Sequence, residues 1–279
     1  MSNSFAVLGS PIDHSKSPAI HLAAYRVLGE EWSYQKQQVE AGGLKRFVDS
    51  AGPQYLGFSV TMPLKENAFN FADVHDKFSL ITKSCNTLLK KENSWLGYNT
   101  DIFGITQTIS AKSLLKIENV VIIGSGATAK SAVVAVSIVS PNAKIKIQAR
   151  NKVAKKELIA FAHSLGLNTR PSLLFERNLN AADLVISTLP GGAMDSFARK
   201  LSSRVAFRPH ALLLDVAYSP WPSVLAQTWS DKGAPVASGK DMLIWQALAQ
   251  IRIFKNGSPE AELLNEVAVL EAMRIAAEE

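Results

Sequence analysis

The sequence has a single cysteine and lacks a long hydrophobic run. Cys85 has no partner for a disulfide within the chain and favours a reducing compartment, so the expected location is the cytoplasm. No segment approaches the roughly eighteen consecutive apolar residues that a membrane span requires. The apolar run near the amino terminus, Phe5 to Leu8, is too short for a signal peptide. We therefore expect no membrane association.

Acidic residues are missing from one short segment. The net charge is +6, and residues 144–156 contain six basic and no acidic side chains, which equals the whole excess. A local basic patch is compatible with a solvated surface, a nucleic-acid footprint or a pocket for a phosphorylated ligand. The segment has no interleaved aromatic residues. This argues against nucleic acid as a partner.

The pattern of the 279 residues predicts an α/β fold with two domains. Strand-like runs alternate with helical segments over 120–216, which predicts a doubly wound parallel sheet. Two helices are predicted over 241–254 and 258–277, without an intervening strand, and such a tail most simply packs back on the first domain. We predict a substrate domain formed by 1–104 and 239–279, and a Rossmann-like nucleotide-binding domain formed by 105–238.

A strand-to-helix corner in the first domain carries a hydroxyl and an amine. Residues 55–60 are predicted as a strand, and Pro63 suits the first position of a following helix because no N–H is needed there. Thr61 and Lys65 then lie at the corner, with Lys65 one turn into the helix. Ligands of α/β proteins bind at the carboxyl ends of strands. Taken by itself, this stretch is better explained by a solvated lysine on a short surface helix.

The second domain opens on a glycine-rich turn. The run Val120-Val-Ile-Ile123 leads into Gly124-Ser-Gly126-Ala-Thr-Ala129. In a Gly-x-Gly-x-x-Ala pattern the first glycine makes a tight turn, the second lets the backbone approach a pyrophosphate, and the small third residue lets helix and strand pack closely. The helix that follows offers free N–H groups and a positive dipole end to phosphates. The segment therefore predicts a dinucleotide site.

The end of the next predicted strand, over 144–149, indicates which dinucleotide. An NAD-binding protein normally has an acidic residue here for the ribose 2′-hydroxyl. The residues are instead Ala149, Arg150, Asn151 and Lys152, and Glu157 is the next acidic residue. A guanidinium pairs well with a phosphate. We expect Arg150 to recognise the 2′-phosphate of NADP, which also explains the local basic charge.

Seven short motifs follow one another along the chain. They are Ser15-Lys-Ser17, Val60-Thr61-Met-Pro63-Leu-Lys65, Cys85-Asn86-Thr87, Asn99-Thr100-Asp101, the Gly124 loop, Asp215-x-x-Tyr218 and Gly239-x-x-Met-Leu-x-x-Gln246. In this order and spacing they resemble the shikimate dehydrogenase family over nearly the whole chain. The resemblance implies a substrate domain completed by the C-terminal helices, an NADP domain, and a cleft between them. It also implies reversible, NADPH-dependent reduction of 3-dehydroshikimate to shikimate.

The resemblance also implies site residues. Ser15 and Ser17, helped by Tyr218, would hold the substrate carboxylate. The residues implied to bind the ring hydroxyls are Thr61, Lys65, Asn86, Asp101 and Gln246. The residues implied to contact the cofactor are Gly124, Ser125, Gly126, Ala127, Thr128, Ala129, Arg150, Asn151, Lys155, Thr188, Val216 and Gly239. We expect no metal, and as partner only a small-molecule substrate, with the protein a monomer or a homodimer.

Structural roles compete with some of these assignments. Ser17 is expected to cap the helix that begins at Pro18, and Gln246 is compatible with an ordinary helix-face amide. The residue before Val60 is commonly asparagine in the family and is Ser59 here, which shortens a side chain behind the corner. Ala149 replaces another asparagine of the family pattern, which removes one side chain that the resemblance implies for the adenosine, while the arginine is kept.

Lys65 and Asp101 are the candidate acid/base pair. We expect Lys65 to donate the proton to the new alkoxide and to accept it in the reverse direction, with Asp101 holding the amine in place. Quinate or quinate/shikimate dehydrogenase is the nearest alternative, and Ser17 in place of threonine favours the shikimate form. Another two-domain dehydrogenase of the same general fold, such as a methylenetetrahydrofolate dehydrogenase, is a further alternative, and the Ser-x-Ser and Asn-Thr-Asp motifs argue against it. A non-catalytic NADP-binding sensor is a further alternative, which an intact Lys65 and Asp101 disfavour.

Overall fold

The structure is a computed structural model that describes residues 3–112, 116–169 and 175–278. The chain separates into two compact units. Unit 1 comprises Met1–Gly104 and Leu243–Glu279, and unit 2 comprises Ile105–Met242. Both boundaries fall inside helices. The sequence also predicts a connection over 112–119, and its residues 113–115 lie outside the described residues.

The helices and strands are numbered in chain order. The first part contains β1 (Ser4–Gly9), α1 (Ser17–Leu28), β2 (Ser33–Gln38), α2 (Leu44–Ser50), β3 (Tyr55–Val60), α3 (Lys65–Phe71), β4 (Val74–His75), α4 (Lys77–Thr82), β5 (Thr87–Lys91), β6 (Ser94–Tyr98) and α5 (Asp101–Lys112). The middle part contains β7 (Asn119–Ile123), α6 (Ala127–Val139), β8 (Lys144–Gln148), α7 (Lys152–Ser164), β9 (Asn168–Thr169), α8 (Phe175–Asn180), β10 (Leu184–Ser187), α9 (Asp195–Ser202), β11 (Leu212–Asp215), α10 (Val224–Asp231) and β12 (Val236–Ser238). The last two helices are α11 (Gly239–Asn256) and α12 (Glu266–Glu278).

Unit 1 is built on a mixed sheet with the strand order β2-β1-β3-β5-β6-β4. The strands β2, β1 and β3 are parallel, whereas β5 is antiparallel to β3 and forms a hairpin with β6. One core joins the sheet to both C-terminal helices, since Phe5 and Ile20 belong to the same buried cluster as Leu248 and Met273. Helix α12 packs against α1. The prediction that the C-terminal helices pack back on this part of the chain is confirmed.

Unit 2 is built on a parallel sheet with the strand order β12-β11-β10-β7-β8-β9. The strand pairs of this sheet are parallel among the described residues, and the strand order reverses between β7 and β10. This is the order of a Rossmann-type, doubly wound sheet, whose ligands bind at the carboxyl ends of the strands beside the reversal. The predicted doubly wound fold is therefore confirmed, and the glycine-rich turn after β7 lies at that edge.

Two sequence-based expectations about helix starts are wrong. Helix α3 begins at Lys65 and not at Pro63, because Leu64 N–H donates to the Thr61 carbonyl (2.8 Å) and closes a tight turn before the helix. Lys65 is thus the first residue of α3 and not one turn into it. Ser17 is not the N-cap of α1, since that position is occupied by Lys16. Ser17 N–H instead donates to Ser15 Oγ (3.3 Å).

The C-terminal helices also differ from the expectation. Helix α11 is longer than predicted, whereas α12 begins at Glu266 and not at 258. Glu266 accepts a hydrogen bond from Leu263 N–H (3.0 Å), and such a local bond to a side chain holds the preceding loop out of the helix. No helix among the described residues is long and apolar enough to cross a bilayer.

Candidate active site

The loops that carry the predicted substrate residues leave the sheet of unit 1 at one edge. Strands β1 and β3 are parallel neighbours, with Leu8 opposite Val60. The chain after each strand stays paired, because Ser10 N–H donates to the Met62 carbonyl (3.0 Å) and Thr61 N–H donates to the Leu8 carbonyl (2.9 Å). The loop that leads to Ser15 and Ser17 therefore starts beside the Thr61–Leu64 turn.

The start of β5 lies at the same edge because β5 runs antiparallel to β3. Ser59 is opposite Thr87, and Val60 N–H donates to the Asn86 carbonyl (2.7 Å). Cys85 N–H donates to the carbonyl of Lys65 (2.9 Å), which ties the first residue of α3 to the residue before Asn86. Sheet topology thus brings together residues that are twenty or more positions apart in the chain.

Lys65 and Asp101 form an ion pair. Lys65 Nζ donates to Asp101 Oδ2 over 2.5 Å. The lysine side chain is 15% exposed and the carboxylate 5% exposed, so the amine is the more accessible partner. A lysine that keeps one hydrogen on a fixed carboxylate has its other two available for a ligand. The arrangement is suited to a proton transfer at Nζ.

Asn86 connects this pair to the rest of unit 1. Its Nδ2 donates to Asp101 Oδ1 (2.8 Å), and its Oδ1 accepts from Thr100 N–H (2.9 Å) and Thr87 Oγ1 (2.9 Å). Asn86 is only 2% exposed. The carboxylate of Asp101 is therefore held by two different groups, with Asn86 on one oxygen and Lys65 on the other.

Gln246 joins the same cluster from α11. Its Oε1 lies 3.2 Å from Asn86 Nδ2, which donates to it, and its Nε2 donates to the Leu243 carbonyl (2.9 Å). Gln246 is 7% exposed. The structure thus brings together Lys65, Asn86, Asp101 and Gln246, and it places Thr61, Ser15 and Ser17 on the adjoining loops. Tyr218 lies in unit 2, after β11.

Sequence reasoning missed a second set of polar residues in unit 1. Tyr34 Oη donates to Ser59 Oγ (2.6 Å), and Ser59 Oγ donates to Gln250 Oε1 (2.8 Å). His21 Nε2 lies 3.3 Å from the same Gln250 oxygen, and burial lowers the pKa of this histidine to about 3. The signal in the sequence was Ser59 itself, a polar residue within an apolar strand whose partners lie on β2 and α11.

The glycine-rich turn of unit 2 has the backbone that a dinucleotide site requires. Gly124 has φ = +119°, where a side chain would be strained, and a Cβ there would lie 2.2 Å from Thr188 Oγ1. A Cβ added at Gly126 would meet no described atom within 4 Å, so the space in front of this residue is open. Helix α6 begins at Ala127, directly after Gly126. The turn offers backbone N–H groups beside open space, which fits a pyrophosphate.

The basic end of β8 lies on the surface. Arg150 is exposed, and Asn151 Oδ1 accepts from Val153 N–H (3.0 Å) and Ala154 N–H (3.1 Å), which caps α7. Lys155 lies one turn further on and is half-buried. The Asn151 oxygen therefore already has a structural use. Arg150 is exposed and follows the strand end near which dinucleotide-binding folds hold the adenosine ribose.

The remaining predicted cofactor residues follow β10, β11 and β12. Thr188 Oγ1 donates to the Ile123 carbonyl (2.9 Å), which links the end of β10 to the end of β7. Val216 N–H donates to the Ser187 carbonyl (2.9 Å). Gly239 packs so closely on Val216 that a Cβ would lie 2.1 Å from the Val216 carbonyl oxygen. These residues lie at the same carboxyl edge as the glycine-rich turn.

The aspartate of the Asp215-x-x-Tyr218 motif is buried and hydrogen-bonded within unit 2. Asp215 Oδ2 accepts from Ser223 Oγ (2.6 Å), and burial raises the pKa of this carboxyl. Burial also raises the pKa of Tyr218. Among the described residues, no group of three or more histidine, cysteine, aspartate or glutamate side chains is arranged to hold a metal ion.

Known proteins resemble this chain in both sequence and structure. Residues 7–88 match the family model described as the shikimate dehydrogenase substrate binding domain. The curated shikimate dehydrogenase (NADP(+)) of Leptospira interrogans is 31% identical over 264 residues, which cover 92% of this chain and 91% of the relative. The chain belongs to the shikimate dehydrogenase family. The resemblance inferred from the seven motifs is thereby confirmed.

Solved structures of shikimate dehydrogenase family members match this chain over nearly its whole length. The shikimate dehydrogenase of Mycobacterium tuberculosis is 34% identical, with a TM-score of 0.83 over 99% of this chain and 98% of that chain. The shikimate 5-dehydrogenase of Thermus thermophilus, solved in complex with NADP(H) and shikimate, is 25% identical, with a TM-score of 0.80 over 98% of this chain and 99% of that chain. Both compact units of this chain therefore have counterparts in the family.

Proposed function

We propose that the protein is an NADP-dependent oxidoreductase that reversibly reduces 3-dehydroshikimate to shikimate. The observation that carries the proposal is the Lys65–Asp101 pair, held by Asn86 at the edge of the unit 1 sheet. The Thermus thermophilus relative binds NADP(H) and shikimate together, which supports the same pair of ligands here. This reaction places the protein in the biosynthesis of aromatic amino acids.

We assign proton transfer to Lys65. When bound, the nicotinamide supplies the hydride. Lys65 Nζ donates a proton to the alkoxide oxygen that forms from the carbonyl, and it accepts that proton in the direction of oxidation. Asp101 orients the amine and balances its charge. Because Asp101 Oδ1 is already bonded to Asn86, the carboxylate has one preferred direction in which to hold Nζ.

Substrate binding is assigned to groups around this pair. Thr61, Asn86, Asp101 and Gln246 bind the ring hydroxyls, and Lys65 binds the oxygen that reacts. The substrate carboxylate is assigned to Ser15, Ser17 and Tyr218. Ser15 is half-buried and Ser17 is 5% exposed. Hydroxyl donors suit a carboxylate, which accepts hydrogen bonds only.

NADP is the cofactor that the residues of unit 2 fit. Gly124 to Ala129 would hold the pyrophosphate, and Thr188, Val216 and Gly239 adjoin it at the same edge of the sheet. Arg150 would pair with the 2′-phosphate, with Lys155 nearby on α7. Lys146 does not contribute to this site, because its Nζ donates to Asn178 Oδ1 (2.7 Å) and so has a structural partner. We propose a preference for NADP over NAD.

A single spectrophotometric assay tests the function. Shikimate and quinate are each offered with NADP+ and with NAD+, and formation of the reduced cofactor is followed by its absorbance. We expect the highest kcat/KM for shikimate with NADP+. A higher value for quinate would assign the protein to the quinate branch of the family. Cofactor binding without turnover of either substrate would favour the sensor alternative or a substrate outside this set.

We further propose that these small molecules are the only ligands, with no nucleic acid or membrane as partner, and that the protein acts in the cytoplasm as a monomer or homodimer. The buried free thiol of Cys85 supports a reducing compartment. The functional domains proposed are 1–104 with 239–279, and 105–238. Light scattering during gel filtration measures the oligomeric state.

A further inference from the structure

A row of hydrogen-bonded side chains leads to Asn86, which holds the Lys65–Asp101 pair. Its first members, Tyr34 and Ser59, have no part in the function proposed above. Tyr34 on β2 donates to Ser59 Oγ on β3 (2.6 Å), and Ser59 donates to Gln250 Oε1 on α11 (2.8 Å). Gln250 Nε2 donates to the Asn86 carbonyl (3.1 Å) and to Thr87 Oγ1 (3.0 Å). The row thus begins on β2, which is the edge strand of the sheet, and ends at Asn86.

The direction of every bond in this row is determined by one group. The Asn86 main-chain carbonyl can only accept, so the Gln250 amide must turn Nε2 toward it and Oε1 toward Ser59. Ser59 must then donate to Gln250, and its oxygen accepts from Tyr34. The Gln250 amide therefore has a single orientation, and the Ser59 hydroxyl, which donates to its oxygen, holds that oxygen in place.

The same direction continues to the catalytic carboxylate. Thr87 Oγ1 accepts from Gln250 and donates to Asn86 Oδ1 (2.9 Å). Together with Thr100 N–H, which donates to the same oxygen (2.9 Å), this keeps the Asn86 amide turned with Nδ2 toward Asp101 Oδ1 (2.8 Å), so that Oδ2 is the oxygen bonded to Lys65 Nζ. A reversed Asn86 amide would present its oxygen to the carboxylate and repel it.

Burial makes these orientations strict. Tyr34 and Ser59 are each 4% exposed, and Gln250 is 2% exposed. A buried polar atom that loses its partner has no water to replace it, so a row of this kind is stable only when every member is bonded. His21 also contacts Gln250 Oε1 (3.3 Å), but this longer contact leaves the hydroxyl of Ser59 as the closer partner of the amide.

We propose that Tyr34 and Ser59 are positioning residues, which act through Gln250 to hold Asn86 and Asp101 in the orientation that Lys65 requires. The proposal rests on the proposed function for its catalytic readout. Neither residue needs to touch the substrate, because each acts on the reacting groups only through the row.

Tyr34→Phe tests the proposal, with Tyr98→Phe as matched control. Each variant removes one buried phenolic hydroxyl of unit 1 and its hydrogen bond, and the Tyr98 hydroxyl donates to the Gly257 carbonyl (3.1 Å), outside the row. We expect both variants to lower Tm by similar amounts. Only Tyr34→Phe should lower kcat, by about tenfold, because a small misplacement of reacting groups reduces rate strongly. The KM for NADP+ should stay unchanged in both.

Ser59 variants separate the row from its neighbours. Tyr34 also interacts with Ser17, so Tyr34→Phe alone could act through substrate binding. Ser59→Ala leaves that interaction in place and should lower kcat to the same extent, whereas Ser59→Thr keeps the hydroxyl and should restore most of it. In the double variant Tyr34→Phe/Ser59→Ala, the loss should equal that of one single variant, because the two residues act as one unit. Losses that multiply would overturn the proposal.

A measurement without turnover keeps this inference separate from the proposed function. The side-chain amide protons of Asn86, assigned in an ¹⁵N-edited NMR spectrum by their loss in Asn86→Asp, should shift in Tyr34→Phe and stay in place in Tyr98→Phe. An active enzyme with unchanged kcat and unchanged Asn86 signals in Tyr34→Phe would refute the positioning role. If the wild-type protein has no activity but the Asn86 signals still shift in Tyr34→Phe, the proposed function is refuted and the positioning row stands.

Discussion

Asn86 forms several of the hydrogen bonds that hold the candidate site together. It bonds the carboxylate of Asp101, the main chain at Thr100 and the hydroxyl of Thr87 at once. An asparagine at a strand end usually satisfies local backbone groups. Here its amide and its carbonyl oxygen are both used across the sheet. Replacement by a residue of similar size should therefore disturb the Lys65–Asp101 pair.

Lys65→Ala is expected to lower kcat by about 10² or more and to leave most of the affinity for shikimate, because the amine is needed chiefly for proton transfer. Stopped-flow and steady-state kinetics with NADP+ give kcat, and calorimetric titration with shikimate gives the affinity. Lys45→Ala is the control, since Lys45 belongs to an exposed pair with Asp49 on α2. Near-normal turnover in Lys65→Ala would remove this residue from the proton-transfer role.

Arg150→Gln should weaken the binding of NADP+ by about tenfold or more and leave the binding of NAD+ nearly unchanged, because only NADP carries the 2′-phosphate that the guanidinium would pair with. Fluorescence titration with each cofactor measures the two dissociation constants. Lys156→Gln removes a neighbouring exposed charge of α7 and serves as control. Equal losses for NADP+ and NAD+ in Arg150→Gln would contradict the assignment.

At the scale of helices and strands, local patterns predicted the elements that local interactions determine. The apolar run of β3 has the predicted bounds. The predicted start of α3 was wrong, because the Thr61–Leu64 turn depends on the pairing of Thr61 with Leu8 on a neighbouring strand. Short elements such as β4 and β9, each of two residues, leave too few positions for a periodic pattern.

The site itself was predictable only in part, for the same physical reason. The motifs indicated Lys65, Asn86 and Asp101, yet their contacts depend on β5 lying antiparallel to β3, which spacing along the chain does not determine. The partners of Ser59 could not be predicted from the sequence, because Tyr34 lies 25 residues before it and Gln250 lies 191 residues after it. A polar residue in a buried strand predicts that a partner exists without identifying it.

The connection between α11 and α12 depends on a partly buried ion pair. Arg252 Nε donates to Glu266 Oε2 (2.7 Å), and its Nη2 donates to the other oxygen of the same carboxylate. Arg252 Nη1 also donates to the Pro259 carbonyl (3.0 Å). The arginine therefore holds both the start of α12 and the loop before it. Since α11 carries Gln246 and Gln250, this contact also supports the site.

Arg252→Met is expected to lower the free energy of unfolding by about 3 kcal/mol, because Glu266 then stays partly buried without its cation. Lys255→Met removes another cation of α11, whose pair with Glu30 is more exposed, at 38% for the lysine side chain against 10% for Arg252. Its effect should stay below about 1 kcal/mol. Urea unfolding followed by circular dichroism compares the two variants, and losses of equal size would contradict this ranking.

For the molecule as a whole, burial places several titratable groups where their charged forms are unfavourable. His21 lies at the centre of unit 1, stacked on Tyr34 with ring centroids 4.0 Å apart. Burial lowers its pKa from 6.5 to about 3, against the opposing effect of the Gln250 hydrogen bond. Burial has the opposite effect on carboxyl groups, since it raises the pKa of Asp76 in unit 1 and of Asp215 in unit 2.

These shifts make the stability of the fold depend on pH with a definite sign. The unfolded chain protonates His21 below pH 6.5, whereas the folded chain does so only near pH 3. The histidine therefore contributes stability that is complete above pH 6.5 and is lost as the pH falls toward 3, at up to about 1.4 kcal/mol per unit. Asp76 and Asp215 oppose this loss, because their raised pKa values let the folded state bind protons more tightly than the unfolded state.

His21→Phe isolates the contribution of the histidine, since it keeps an aromatic ring against Tyr34 and removes the titration. Between pH 6.5 and about pH 5, the wild-type free energy of unfolding should fall by about 2 kcal/mol relative to that of the variant. Urea unfolding at several pH values measures both curves, and loss of the contact with Gln250 shifts the variant's curve without changing its slope. Parallel curves would mean that His21 is protonated as readily in the folded protein as in the unfolded chain, and that the core around Gln250 admits water.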